Sequence, residues 1–371
     1  KILIYHFIFF FFFFFNLSYG CFCILASAAM FAACGSDDPV TDPVPTEEYV
    51  WSTNGGLKAC NCLTFNAEGN PSATGTQIGN GDAEFVFTGK QTLKRGTYVL
   101  KGWVYVAEGA ELTIEPGTVI KGDKQTKSSL IVERGGRIVA QGTATAPIVF
   151  TSGEAAGERR PGDWGGLILC GRAQNNQGEM QIEGGPRTKH GGQENADNSG
   201  VLSYVRIEFA GYPFNTDQEI NGLTLGSVGS GTTIDHVQVS YSNDDSFEWF
   251  GGSVNCRYLV AYHGWDDDFD TDNGFSGNVQ YGLSVRNARI ADKSQSNGFE
   301  SDNNASGSDA SPFTSATFSN ITFIGPKLQT GEDFQNTTDF INAGNYNPNN
   351  GSALGRFQSA MQIRRSSRLN I

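Results

Sequence analysis

Positive charge is scarce in this chain. Lys and Arg number 26 against 39 Asp and Glu over 371 residues, a net charge of −13. An acidic surface repels nucleic-acid phosphates and anionic lipid headgroups. The basic pairs Arg159-Arg160 and Arg364-Arg365 are too sparse to grip nucleic acid. The four histidines show no ligand spacing and the seven cysteines form no CxxC pairs, which excludes a zinc site. No GxGxxG follows a strand and opens a helix, and no GxxxxGK[ST] occurs, so phosphate-cradling loops are absent. Gly229-Ser230-Gly231 lacks the strand-to-helix setting of a nucleophile elbow.

Turn formers and short apolar runs are plentiful. Glycine alone numbers 47, and Val, Ile, Thr and Phe fall in runs of three to five residues, too short for helices. Tyr98 to Val106, Leu112 to Ile114, Val119-Ile120, Leu130 to Val132 and Ile148 to Phe150 alternate apolar positions between Gly or Pro breaks. This is an all-β pattern. A motif then recurs: Asp245-Ser246-Phe247-Glu248, Asp268-Phe269-Asp270 and Gly298-Phe299-Glu300, with its phenylalanines 22 and 30 residues apart. Recurrence at such a period predicts a right-handed parallel β-helix over residues 98–371, coil stacked on coil. The same register carries Val237 and Val239 onto Leu259 and Ala261. The third copy needs eight extra residues, expected as a polar outward loop at Ala291–Asn297. The coil run is expected to be incomplete at its C-terminal end, since a solenoid needs a terminal cap.

Residues 1–33, apolar after Lys1, read as a signal peptide, with the Phe run at 9–15 suggesting a misassigned start. Phe31-Ala32-Ala33-Cys34 resembles the lipobox of bacterial lipoproteins, which implies acylation of Cys34 and anchoring at the outer membrane, facing outward. Residues 34–48 follow as an acidic, Pro-rich tether, and 49–97 as an N-terminal cap region. Cys60, Cys62, Cys170 and Cys256 leave three disulfide pairings open, with buried free thiols expected at Cys170 and Cys256.

Leu112-Thr113-Ile114-Glu115-Pro116-Gly117-Thr118, Pro161-Gly162-Asp163-Trp164-Gly165-Gly166, Asp244 to Gly252 and Asp268 to Gly274 together resemble a family of pectin-lyase-like β-helix lipoproteins of Bacteroidota-type bacteria. The resemblance implies a fold and a cell-envelope location. It carries no settled activity.

Stacked motifs stack their carboxylates. Glu248 falls against Asp270, Asp245 against Asp267, and Glu300 and Asp302 follow on the next coil. Like charges about 4.8 Å apart repel by on the order of 1 kcal/mol in water and several times more near protein. Hard oxygen clusters suit Ca²⁺. The candidate ligands are Asp244, Asp245, Glu248, Asp266, Asp268, Asp270, Asp272, Glu300 and Asp302, with simple turn formation by Asp and Asn as the alternative. An EF-hand is excluded, because glycine falls one place late at Gly274 and loop position twelve is Val279. Trp249, Phe250, Tyr262 and Trp265 lie beside the acidic run and could stack on sugars, which favours a glycan-binding or adhesion role. Two enzymatic alternatives remain. One is a polygalacturonase-type hydrolase using Asp217, Asp244, Asp245 and His263. The other is a Ca²⁺-dependent lyase with Arg257, Arg286 or Arg289 as base.

Overall fold

The computed structural model describes residues 76–371, apart from 216–217, 288–289, 293 and 327–356. The signal, the tether, Cys34, Cys60 and Cys62 lie outside the described residues.

Alternating apolar residues give strands that bury one side, and each strand lies on its counterpart one coil away. Three walls result. The first holds Lys90–Leu93, Glu111–Ile114 and Arg137–Gln141. The second holds Gln77–Ile78, Thr97–Leu100, Val119–Gly122 and Ile148–Ser152. The third runs from Phe85–Phe87 through Trp103–Val106, Ser129–Val132, Gly166–Cys170, Leu223–Gly226, Phe247–Phe250, Phe269–Asp272 and Ser296–Ser301 to Phe357–Ile363. Coil-to-coil pairing is parallel throughout these walls. The fold is the expected right-handed parallel β-helix.

Over the next four coils the first two walls are made by single long strands, Gly200–Glu208, Thr233–Ser240, Asn255–Tyr262 and Asn278–Val285, and on the coil after them the walls part again into Thr317–Ser319 and Thr322–Ile324. Gly200 pairs with Ile138 of the first wall, whereas Val205 pairs with Ile148 of the second. Between the halves sits one left-handed residue per coil: Tyr204, His236, Tyr258 and Tyr281, at φ 49, 50, 56 and 60°. That residue turns the strand from one wall into the next.

The predicted register holds. Phe247 pairs with Phe269 and Phe269 with Phe299, their rings 5.7 and 5.4 Å apart in the core. Val237 lies on Leu259 and Val239 on Ala261. Each buried phenylalanine contributes roughly 1.5–3 kcal/mol. Cys170 and Cys256 are buried and free, their thiols pushed up to about 12 by burial.

Two boundaries move. Coil strands begin at Gln77 rather than Tyr98, because Lys90-Gln91-Thr92-Leu93 is too polar to show its single inward Leu93 in sequence. The Ala291–Asn297 segment is outward only in part: Ser294 is exposed, residue 293 lies outside the described residues, and both ends turn inward. Ala291, Ser296 and Asn297 are buried, with the Ser296 hydroxyl donating to the Trp265 carbonyl and the Asn297 N–H to Asp267.

Candidate metal centre

The outward column of the third wall changes character along the axis. In register it reads Tyr105, Ile131, Ile168, Thr224, Glu248, Asp270, Glu300, Gln362. The apolar half is covered: Ile182 and Ile220, from the chain between Gly171 and Gly222, pack on Tyr105, Ile131, Ile168, Cys170 and Phe250. The acidic half begins where that cover ends.

One corner column stands beside it. The Asp267 N–H donates to Asp245 Oδ1 at 2.8 Å, and the Asn297 N–H donates to Asp267 Oδ1. Each corner carboxylate thus fixes the backbone of the next coil, which is how a local turn former becomes an axial strut. Asn221 lies one coil before Asp245 and donates its amide to Glu248 Oε2.

Two groups of carboxylates converge. Oxygens of Asp245, Glu248 and Asp270 lie within 4.8 Å of one another, and so do those of Asp244, Asp245 and Asp266. Among the described residues none of these five forms an ion pair with Lys, Arg or His. Burial first, and neighbouring carboxylates second, hold Asp244, Asp245, Glu248 and Asp270 well above the usual carboxylate range. Asp266 is pushed up to about 7 by burial and by Asp292. Asp244, Asp266 and Asp270 keep some contact with solvent, but the surrounding protein removes most of their water.

The donor set suits a hard cation. Ca²⁺ takes oxygens at about 2.3–2.6 Å, so ligands on opposite sides of one ion stand about 5 Å apart. The observed 4.8 Å limit fits that sphere. Asn221 is 1% exposed and its Oδ1 has no hydrogen-bond partner, as is also true of Asp270 Oδ1. A buried oxygen without a donor costs about 1–3 kcal/mol, and a cation at the triad would satisfy Asp270 Oδ1. Asp245, Glu248 and Asp270 are therefore the residues that would hold Ca²⁺, with the Asn221 amide positioning Glu248.

Other expected ligands have different tasks. Asp268 turns away: it is fully buried, 3.1 Å from Arg286, and accepts from Ser284. Asp268 precedes the strand Phe269–Asp272 at the corner, so it does not share the outward face of Asp270 and Asp272. Glu300 pairs with Arg364, and Asp302 with Arg364 and Arg365. Asp272 accepts its neighbour Asn273 N–H at 2.6 Å and is pushed up to about 7, chiefly by burial.

The aromatic platform does not exist as expected. Trp249 stacks in the core on Phe275 at 5.3 Å, Trp265 is 2% exposed, and Phe250 belongs to the covered apolar patch. A large ring gains more from burial than from facing water. Tyr262 is half-buried and stacks on His263 at 3.8 Å. His263 also faces the Asn287 amide at 3.4 Å, in an aromatic corner rather than among the carboxylates. Arg257 lies on the first wall near Asp235, and Arg286 is spent on Asp268. Asp217 and Arg289 lie outside the described residues.

Sequence reading missed Asn221, the strut role of Asp267, and Glu183, which reaches the column from the covering segment. Glu183 is pushed up to about 7 by burial and then by Glu219 and Asp272. Only Asn221 carried a signal, since it stands in coil register with Asp245.

The pectate-lyase like beta helix domain, as a sequence family, matches residues 86–368. The chain belongs to this family. No curated protein and no solved structure matches it. Membership agrees with the coil register and says nothing about Asn221 or the carboxylate triads.

Proposed function

We propose that this β-helix binds polysaccharide and takes up one Ca²⁺ at Asp245, Glu248 and Asp270, with Asn221 holding Glu248 in place. The observation that supports the cation is the convergence of three carboxylates that have no cationic partner among the described residues, one of them with a buried oxygen that lacks a donor. The fold family supports the polysaccharide. The two ideas join chemically, because an acidic corner on a chain of net charge −13 repels uronates unless a divalent ion intervenes. The Phe31 to Cys34 run supports attachment through lipid on Cys34 at the outer membrane, which would place the helix outside the cell.

A second reading rests on Asp266. A partly exposed carboxyl titrating near 7 beside Asp244 has the poise of a general acid. The inverting, polygalacturonase-type form of that reading needs its two carboxyls roughly 6.5–9.5 Å apart. The Asp244 and Asp266 oxygens lie closer than this, and His263 stands in an aromatic corner away from them, so binding is the preferred function.

Calorimetric titration of Ca²⁺ into chelator-treated protein tests the site. One ion per chain is expected, and Asp270→Asn should abolish it. Absence of heat and of any melting shift at millimolar Ca²⁺ would remove the metal proposal. Retention on immobilised polygalacturonate, dependent on Ca²⁺ and without new reducing ends, is expected for binding. Appearance of reducing ends would establish hydrolysis or lysis instead.

A further inference from the structure

A second feature lies on a different wall. The left-handed residues that bend the long strands form a ring ladder: Tyr204 on His236 at 4.3 Å, His236 on Tyr258 at 4.5 Å, and Tyr258 on Tyr281 at 4.9 Å. Their planes lie within 23° of each other. Stacked faces make a half-buried, stiff ridge that rises one ring per coil.

Beside this ridge the first wall carries an open groove of about 390 Å³. Thr233, Asp235, Asn255, Arg257, Asn278 and Gln280 line it. They form two columns in strict coil register, Thr233 with Asn255, and Asp235 with Arg257 and Gln280. The groove has little net charge, since Arg257 stands 3.7 Å from Asp235. Asp235 is itself held by Ser203 at 2.6 Å. The Asn278 amide donates to Asn255 Oδ1 at 2.7 Å, which orients both amides. That leaves Asn255 Nδ2 as a donor and Asn278 Oδ1 as an acceptor toward solvent.

We propose that this groove binds a neutral, extended β-1,4-linked oligosaccharide lying along the helix axis. Mixed donors and acceptors without net charge match vicinal hydroxyls, which both donate and accept. Coils repeat about every 4.8 Å, and an extended hexose chain advances by about the same distance per sugar. A β-1,4 linkage turns each sugar over relative to the last, so successive sugars offer hydroxyls from alternate edges to the donors and acceptors of successive coils, Thr233, Asn255 and Asn278. An anionic chain would meet Asp235 without a matching excess of cations, and a peptide would lack the repeat. The site is separate from the carboxylate triads, which stand on the third wall and the corner beside it.

Titration with cellohexaose, mannohexaose and xylohexaose, each with and without EDTA, tests the inference. At least one hexaose should bind, with affinity unchanged by EDTA, and binding should fall at least tenfold in Arg257→Ala and in Asn278→Ala. These side chains are exposed, so the variants should melt as the wild type does. Arg257→Lys and Asn278→Asp serve as conservative partners if a variant melts early. Failure of all three hexaoses at millimolar concentration would overturn the proposal. So would binding that vanishes with EDTA, which would assign it to the triad site, or binding untouched by every groove variant.

Discussion

Asp270→Asn sets the two demands on the acidic column against each other. Asp270 faces Glu248 on one coil and Glu300 on the next. Two unit charges about 4.8 Å apart repel by on the order of 3 kcal/mol at the effective dielectric of a protein surface and about 1 kcal/mol in water. Arg364 already offsets Glu300, and a raised pKa lets part of the charge at Asp270 be removed by protonation. The relief in chelated protein should therefore be about 1–2 kcal/mol. At roughly 2–4 °C per kcal/mol for a large domain, chelated Asp270→Asn should melt a few degrees above chelated wild type. Saturating Ca²⁺ reverses the order. At a hundredfold excess over its dissociation constant, a ligand stabilises by about 2.7 kcal/mol. The wild type should gain this and the variant almost nothing. Differential scanning calorimetry in EDTA and in Ca²⁺ gives both comparisons. If the variant melts below wild type in EDTA, and Ca²⁺ raises both equally, the carboxylates are not frustrated and the ion, if bound, lies elsewhere.

The pH response follows from the same groups. Asp266, Asp272 and Glu183 are raised to about 7 in the folded chain, so the native state holds protons that the unfolded chain releases near pH 4. Chelated protein should lose stability as pH rises from about 4 to 7, and a urea midpoint that rises over that window would contradict the assignment. Arg286→Met should cost about 3–5 kcal/mol, because it leaves Asp268 buried without its partner. The double variant with Asp268→Asn should recover part of this, and chemical denaturation reads both. Phe269→Ala removes the middle ring of the Phe247–Phe269–Phe299 stack and should cost about 3–5 kcal/mol. A loss under 1 kcal/mol would mean that the coils do not share this core column.

The β-helix was legible because its evidence is local and counted along the chain. Phe247, Phe269 and Phe299 must fall inward, and a 22-residue step returns Val237 to Leu259 without reference to anything distant. The start of the coils was not legible, since Lys90–Leu93 buries one residue in four positions. The aromatic platform was misread for a related reason. Adjacent residues on a strand face opposite ways, but sequence does not say which side is covered, and the apolar cover over Phe250 comes from Ile182 and Ile220.

The chain by itself determined the coil period, the inward phenylalanines and the piling of acidic residues on one wall, since all three depend only on spacing. Tertiary structure alone decided the fate of each charge. Arg364 reaches Asp302 from 62 residues away and Arg286 reaches Asp268 across a corner. Asn221 meets Glu248 from the preceding coil. Whether a carboxylate finds a cation or another carboxylate depends on how far each insertion carries the chain before it returns, and spacing within one motif does not contain that distance.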